Sequence, residues 1–304
     1  AASRPAGLVA AVGKGHVVGM TDSHTPRPGP WDPKPETTAP VREAAAADRG
    51  PPRSAEPPLD KGQHPVWAIV STLLLGGLIF WWSQSWIMVV AVLFGLLVHE
   101  YGHVLAMNRL GMGPARIYII PFLGGVAKSQ RLPNSEWDGV LVSLAGPAFG
   151  MLAAIPFLGV YIATGQGEWL VGVLAIATLN LVNLAPAPPL DGSKALGPVL
   201  ARVHPMLERV VIFLIGAVVV LWGISNGSWL FAGFLALSLY AHLRRGDWRP
   251  DGRPLTARES GYSVGLFLAT LVLCGGVALA ALLPLTGTLE NAMAIAGRYF
   301  EFGR

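Results

Sequence analysis

The sequence predicts an all-α polytopic membrane protein with about seven transmembrane helices and a short, β-like re-entrant segment after the second. Three observations carry this. Of 304 residues, 52% are hydrophobic and only 13% are charged, with a mean hydropathy of +0.50, whereas a soluble domain carries about a quarter charged residues. From Val66 onward, apolar runs follow one another at 66–82, 86–107, 140–163, 169–185, 208–224, 229–243 and 262–284, most near the ~20 residues needed to cross hydrocarbon. Between the second and third, the stretch GMGPARIYIIPFLGGVAKSQ is too short and too broken by Pro114, Pro121, Gly124 and Gly125 to be another helix.

Residues 1–62 stand apart. They are rich in Pro, Ala and mixed charge and poor in large apolar side chains, the composition of a disordered tail. The first 19 residues lack the charged start, continuous apolar middle and cleavage site of a signal peptide. Met20 offers a native start, which would make residues 1–19 extraneous.

Trp81, Trp82, Trp86, Trp169 and Trp229 flank the spans as interfacial anchors. Short links at Ser83 to Ser85 and at 225–228 predict two tight helical hairpins. In the re-entrant segment, Ile117, Tyr118, Ile119 and Ile120 favour a strand and the Gly124–Gly125 pair favours a turn. Irregular backbone at membrane depth must be buried in protein or line a wet cavity, so this segment is a candidate lining for a site; a plain interfacial loop would read the same way. The last stretch, LENAMAIAGRYFEFGR, has helically spaced apolar residues and fits either an amphipathic surface helix or a docked tail, so residues 286–304 form a short terminal segment.

Basic residues set the orientation. Arg49, Arg53 and Lys61 precede the first span. Arg109, Arg116, Lys128 and Arg131 lie between the second and third, Lys194, Arg202 and Arg209 follow the fourth, and Arg244, Arg245, Arg249, Arg253 and Arg258 lie between the sixth and seventh. The other side carries only Arg298 and Arg304. Because cytoplasmic loops collect Lys and Arg, the N-terminus is expected inside and the C-terminus outside. The net charge of +4 and pI near 9.4 follow from this spread over loops, not from a nucleic-acid-binding face. The single cysteine, Cys274, sits in an apolar run as a packing residue.

The second run contains VLFGLLVHEYGHVLAM, in which His99, Glu100 and His103 interrupt a spanning helix. Ionisable groups there cost about 2.5–3.5 kcal/mol each on insertion scales, which marks them as functional; the bland alternative is a helix end at the water interface. Residues four apart share a helix face, the spacing by which two imidazoles hold one zinc ion. Glu100 beside them is placed to take a proton from a water at the metal. A catalytic zinc takes three protein ligands, and Asp191 in NLVNLAPAPPLDGSKAL is the best third: Pro186, Pro188 and Pro189 break the fourth helix, and both segments end on the cytoplasmic side. An ordinary helix stop followed by a solvated Asp-Gly turn has the same punctuation. The other histidines, His16, His24, His64, His204 and His242, lack metal spacing.

HEYGH at 99–103, IIPFLGGVA at 119–127, SLAGPAFG at 143–150 and NLAPAPPLDG at 183–192 occur in an order that resembles the site-2 protease family of intramembrane zinc metalloproteases. The resemblance covers roughly residues 90–195 within a catalytic domain at 63–285 whose core is 86–195. It implies one catalytic Zn2+ on His99, His103 and Asp191, Glu100 as acid/base, and Asn183 near the substrate or developing oxyanion. It further implies that Ile119, Ile120, Phe122, Gly124 and Gly125 pair with an unwound substrate strand. The implied activity is hydrolysis of a single-span membrane protein within or near its transmembrane segment. Loops between the spans are too short for the PDZ insertion some relatives carry, and the residues after the seventh are too few for a CBS pair. Gly192–Ser193 stands where many relatives have two glycines.

A metal-binding transporter or an inactive adaptor of the same fold is the main alternative, although transport would distribute polar groups across the spans. A water-soluble zincin conflicts with the missing soluble domain, and a serine protease lacks its signature. The Ala, Gly, Pro and Arg usage suggests a bacterial cytoplasmic membrane, with the lipid bilayer and a membrane substrate as partners and no nucleic acid.

Overall fold

The computed structural model describes residues 62–120, 124–244 and 252–299. The tail reading, Phe122 and the tip of the β-like segment lie outside them. The chain divides at Pro57/Pro58, and the described residues all belong to the second unit.

Helix α1 (Pro65–Ser83) starts as its sequence dictates: Pro65 occupies the first turn, and the His64 ring accepts the Val66 N–H. A two-residue link leads to α2 (Trp86–Arg109), capped by the Ser85 hydroxyl, so the first predicted hairpin is present. Strands β1 (Arg116–Ile120) and β2 (Gly124–Lys128) follow, paired antiparallel with Ile119 opposite Gly125 and Ile117 opposite Ala127. The glycine pair is therefore in the second strand and not in the turn. Gly124 has φ +107°, which only glycine adopts without strain, and Gly125 lies so close to α2 that a side chain there would collide with it.

Helix α3 (Glu136–Gly150), a 3-10 turn (Met151–Ala153) and α4 (Ala154–Thr164) together form the third apolar rod, with Pro147 inside it. Then come α5 (Glu168–Asn183), α6 (Asp191–Val203), the hairpin of α7 (Pro205–Ser225) and α8 (Trp229–Arg244), the long α9 (Ala257–Thr286) and the terminal α10 (Leu289–Tyr299).

The predicted apolar runs are essentially helical. Among the described residues, five helical rods are long and apolar enough to cross a membrane: α1, α2, α3–α4, α7 and α9. Helix α5 has 16 residues, about 24 Å at 1.5 Å per residue, short of a ~30 Å hydrocarbon layer. Large apolar side chains such as Trp67, Leu73, Trp81, Trp82, Leu214 and Val272 point outward from the long helices, as expected of an integral membrane protein.

The core lies where α2, α3, α5 and α9 meet, around Ala91, Val140, Leu144, Val173, Ile176, Ala177, Phe267 and Cys274. Cys274 is a buried packing residue, as its surroundings in the sequence suggest. Small residues set the spacing: a Cβ on Gly102 would sit 2.5 Å from the Ala145 carbonyl, so α2 and α3 touch backbone to backbone. The segment 252–256 docks on this core. Leu255 is buried, its N–H donates to Glu136 Oε2 at 2.9 Å, and its carbonyl accepts from Arg202.

Candidate metal centre and acid/base site

Three elements converge on one point. Helix α2 supplies His99, Glu100 and His103, and the core packing makes all three buried. Asp191 is the first residue of α6, so the predicted Asp-Gly turn is in fact a helix start. Gly192 permits it: a Cβ there would lie 2.0 Å from the Leu184 carbonyl. Ser193, at the position where glycine was the alternative, bonds the Leu190 carbonyl at 2.7 Å and fits without distortion.

His99 Nε2 lies 3.1 Å from Asp191 Oδ2, His103 Nε2 lies 3.2 Å from the same oxygen, and the two Nε2 atoms are 3.1 Å apart. The second ring nitrogens are already committed. His103 Nδ1 lies 2.7 Å from the Val142 carbonyl, which can only accept, so this nitrogen carries its proton. His99 Nδ1 lies 2.8 Å from Asn180 Oδ1, while Asn180 Nδ2 donates to the Ile176 carbonyl at 2.8 Å. With only Nδ1 protonated on each ring, the bare Nε2 lone pairs would face each other and a carboxylate. A proton on either ring would relieve part of that repulsion, whereas a cation at the centre relieves all of it.

The triangle also has the right size. A tetrahedral zinc with arms of 2.0–2.1 Å has ligand-to-ligand edges of about 3.3 Å, against 3.1, 3.1 and 3.2 Å here. Among the described residues, His99, His103 and Asp191 are the one group of three His, Cys, Asp or Glu side chains able to hold a metal ion. Gly146 on α3 closes over the site, since a Cβ there would be 2.3 Å from His103 Nε2 and 2.9 Å from His99 Nε2. The other carboxylate oxygen, Asp191 Oδ1, faces Lys194 at 3.8 Å.

Residues 87–171 match the family model of peptidase family M50. This stretch of the chain is similar to M50 peptidases. That segment contains His99, Glu100 and His103 and stops before Asn180 and Asp191, which join the site through the fold. A Synechocystis sp. protein named "Putative zinc metalloprotease" is 31% identical over 123 residues, covering 38% of this chain and 31% of its own length. A zinc metalloprotease of Methanocaldococcus jannaschii is 30% identical over 151 residues, covering 46% of this chain and 41% of its own. The match thus spans less than half of each relative. No solved structure gives a significant match.

Around this cluster, the other sequence-derived residues fall in different places. Gly125 abuts Glu100: its missing Cβ would lie 2.6 Å from Glu100 Cγ, and the backbone of the neighbouring Ala127 hydrogen-bonds the Glu100 carboxylate. Gly124 lies against Leu96 of α2, and Ile120 is at the exposed end of β1. Ile119 turns its main chain away from β2, toward Gln63. Asn183 spends its amide on the Leu179 carbonyl of its own helix at 3.0 Å. Asn180, one turn earlier, lies 2.8 Å from His99 Nδ1 through its Oδ1, and sequence reasoning passed over it. A buried amide in an apolar helix was the signal available.

Proposed function

We propose that the protein is an intramembrane zinc endopeptidase of the site-2 protease type, cutting a single-span membrane protein within or near its transmembrane segment. The observation that carries this is the 3.1–3.2 Å triangle of His99, His103 and Asp191 with Glu100 adjoining it in the same buried pocket. The M50 match over 87–171 supports the protease class.

His99, His103 and Asp191 would hold zinc. When bound, zinc polarises a carbonyl and makes water acidic enough to act as a nucleophile near neutral pH. Glu100 accepts the proton lost by the attacking water and delivers it to the departing amine nitrogen. Its burial beside β2 excludes bulk water from that transfer. Asn180 and the Val142 carbonyl hold the two imidazoles in the tautomer that keeps Nε2 available. A substrate helix hides its amides in internal bonds and must unwind locally; an extended segment can regain pairing by strand addition to the hairpin.

Basic loop residues support an orientation with the N-terminus and the active site toward the cytoplasm of a bacterial cell. Protease digestion of sealed inside-out and right-side-out vesicles tests this: loss of the tail from the outer face of right-side-out vesicles refutes it.

The function is tested with purified full-length protein in nanodiscs, assayed for zinc and for cleavage of a panel of single-span substrates. Glu100→Gln is expected to keep zinc and lose cleavage by at least about a hundredfold, and Asp191→Ala to lose both. Full turnover by Glu100→Gln would defeat the proposal.

A further inference from the structure

The residue two positions ahead of α1 acts as a fragment of β-sheet. Gln63 Nε2 donates to the Ile119 carbonyl at 2.9 Å, and Gln63 Oε1 accepts the Ile119 N–H at 2.8 Å. This is the pair of bonds that a third strand would make to Ile119. Both main-chain groups of Ile119 therefore point away from β2, and by the two-residue alternation of a strand those of Ile117 do too. Their opposite numbers, Gly125 and Ala127, are then the non-bonded pairs of the ladder and direct their main chain to the outer side of β2. That is the side on which the Ala127 backbone meets Glu100.

The hairpin thus has two edges with different neighbours. The outer edge of β1 faces the start of α1 and is closed at Ile119 by a side-chain amide. The outer edge of β2 faces the acid/base. A two-stranded hairpin is marginal by itself, and an open groove lined by Gly62, Gln63, Val104, Ala115, Arg116 and Ile117 runs along the β1 edge. Gln63 Nε2 also approaches the hydroxyl of buried Ser71 at 3.5 Å, so one carboxamide ties the hairpin to α1.

We propose that Gln63 is a positioning residue for substrate binding: by standing in for a third strand on β1, it fixes β2 so that its outer edge, beside Glu100, is presented to an extended peptide. This rests on the proteolytic reading. The consequence is a device that acts on affinity for the unwound segment and leaves the metal centre alone, because Gln63 touches none of the metal-binding side chains.

The test uses Gln63→Met, which keeps the length and volume of the side chain and removes both hydrogen bonds, with Gln63→Glu as the variant that retains only the bond from the Ile119 N–H. In full-length protein in nanodiscs, Gln63→Met should raise KM for a single-span substrate about five- to tenfold, the size of a typical net hydrogen bond, with kcat within about twofold and zinc content unchanged. Gln63→Glu should fall between the two. Amide exchange at Ile119 should speed up while exchange in α2 does not. In a Glu100→Gln background, where turnover is absent, the Kd of a fluorescent transmembrane peptide should weaken by the same factor. Unchanged KM and Kd alongside faster Ile119 exchange would overturn the proposal, and so would a fall in kcat with loss of zinc. A wild-type protein that holds zinc and cleaves no substrate would defeat the proteolytic reading instead, and the peptide Kd would still report on Gln63.

Discussion

Asn180 Oδ1 lies 2.8 Å from His99 Nδ1 and decides which nitrogen of that ring faces Asp191. The assignment is fixed from the far end of the amide. Asn180 Nδ2 donates to the Ile176 carbonyl, so the oxygen must be the atom turned to His99, and an oxygen can only receive the Nδ1 proton. The lone pair then sits on Nε2, inside the triangle. Removing the acceptor frees the ring to rotate or to take the wrong tautomer. Asn180→Leu, of similar volume, should weaken zinc binding by about 10- to 100-fold, read by competition with a chelating dye. An unchanged affinity would show that the ring is held by packing alone.

Gly150 makes that contact possible, since a Cβ there would meet Asn180 Oδ1 at 2.2 Å and its Nδ2 at 2.8 Å. Gly150→Ala should therefore displace the amide and reproduce the zinc defect of Asn180→Leu. Because both changes break one interaction, the double variant should be no worse than the poorer single one. Additive losses of zinc affinity would separate the two residues and refute the link.

Gly146 lies nearer still. A methyl group at this position would come within 2.3 Å of His103 Nε2 and 2.9 Å of His99 Nε2, in the space where the two ligand atoms meet. Gly146→Ala should leave a folded, membrane-inserted protein with little zinc and no cleavage. Gly159, on the same apolar rod with open space at its Cβ, supplies the control: Gly159→Ala should retain zinc at wild-type stoichiometry. Normal zinc content in Gly146→Ala would mean that α3 can retreat from the site.

Much of this was readable before any coordinates, and the reasons differ by element. Helix α2 announced His99, Glu100 and His103 because their spacing is local and their chemistry conflicts with an apolar span. Asp191 was readable because prolines must end α5 and the loop charges led to the expectation that both segments end on one side. The start of α6 was not: Asp-Gly reads as a turn, and only the close approach of Gly192 to the Leu184 carbonyl makes it a helix N-terminus. Asn180 and Gln63 escaped for another reason. Each acts through one side-chain amide on a partner 81 or 56 residues away, and such long-range pairing leaves no periodicity in the chain. Hydropathy registers apolar runs but not helix length, and among the described residues five of the seven runs lie in rods of spanning length.

Glu136 gives a prediction that separates stability from the metal centre. Its carboxylate accepts the N–H of Leu255 at 2.9 Å, and Leu255 is 1% exposed, with its carbonyl held by Arg202 from α6. The segment before α9 is in this way stitched to α3 and α6, the helices that bring Gly146 and Asp191 to the site. Glu136→Ala strands a buried N–H, and an unsatisfied buried donor costs about 1–3 kcal/mol. The destabilisation should appear as a lower unfolding temperature of the full chain in detergent. Since Glu136 meets none of the metal-binding side chains, the protein that remains folded should still hold one zinc per chain and cleave at a rate close to wild type. A normal unfolding temperature would show that the Leu255 segment finds another acceptor. Loss of zinc at temperatures where the protein stays folded would show instead that the stitch at Leu255 sets the position of Asp191.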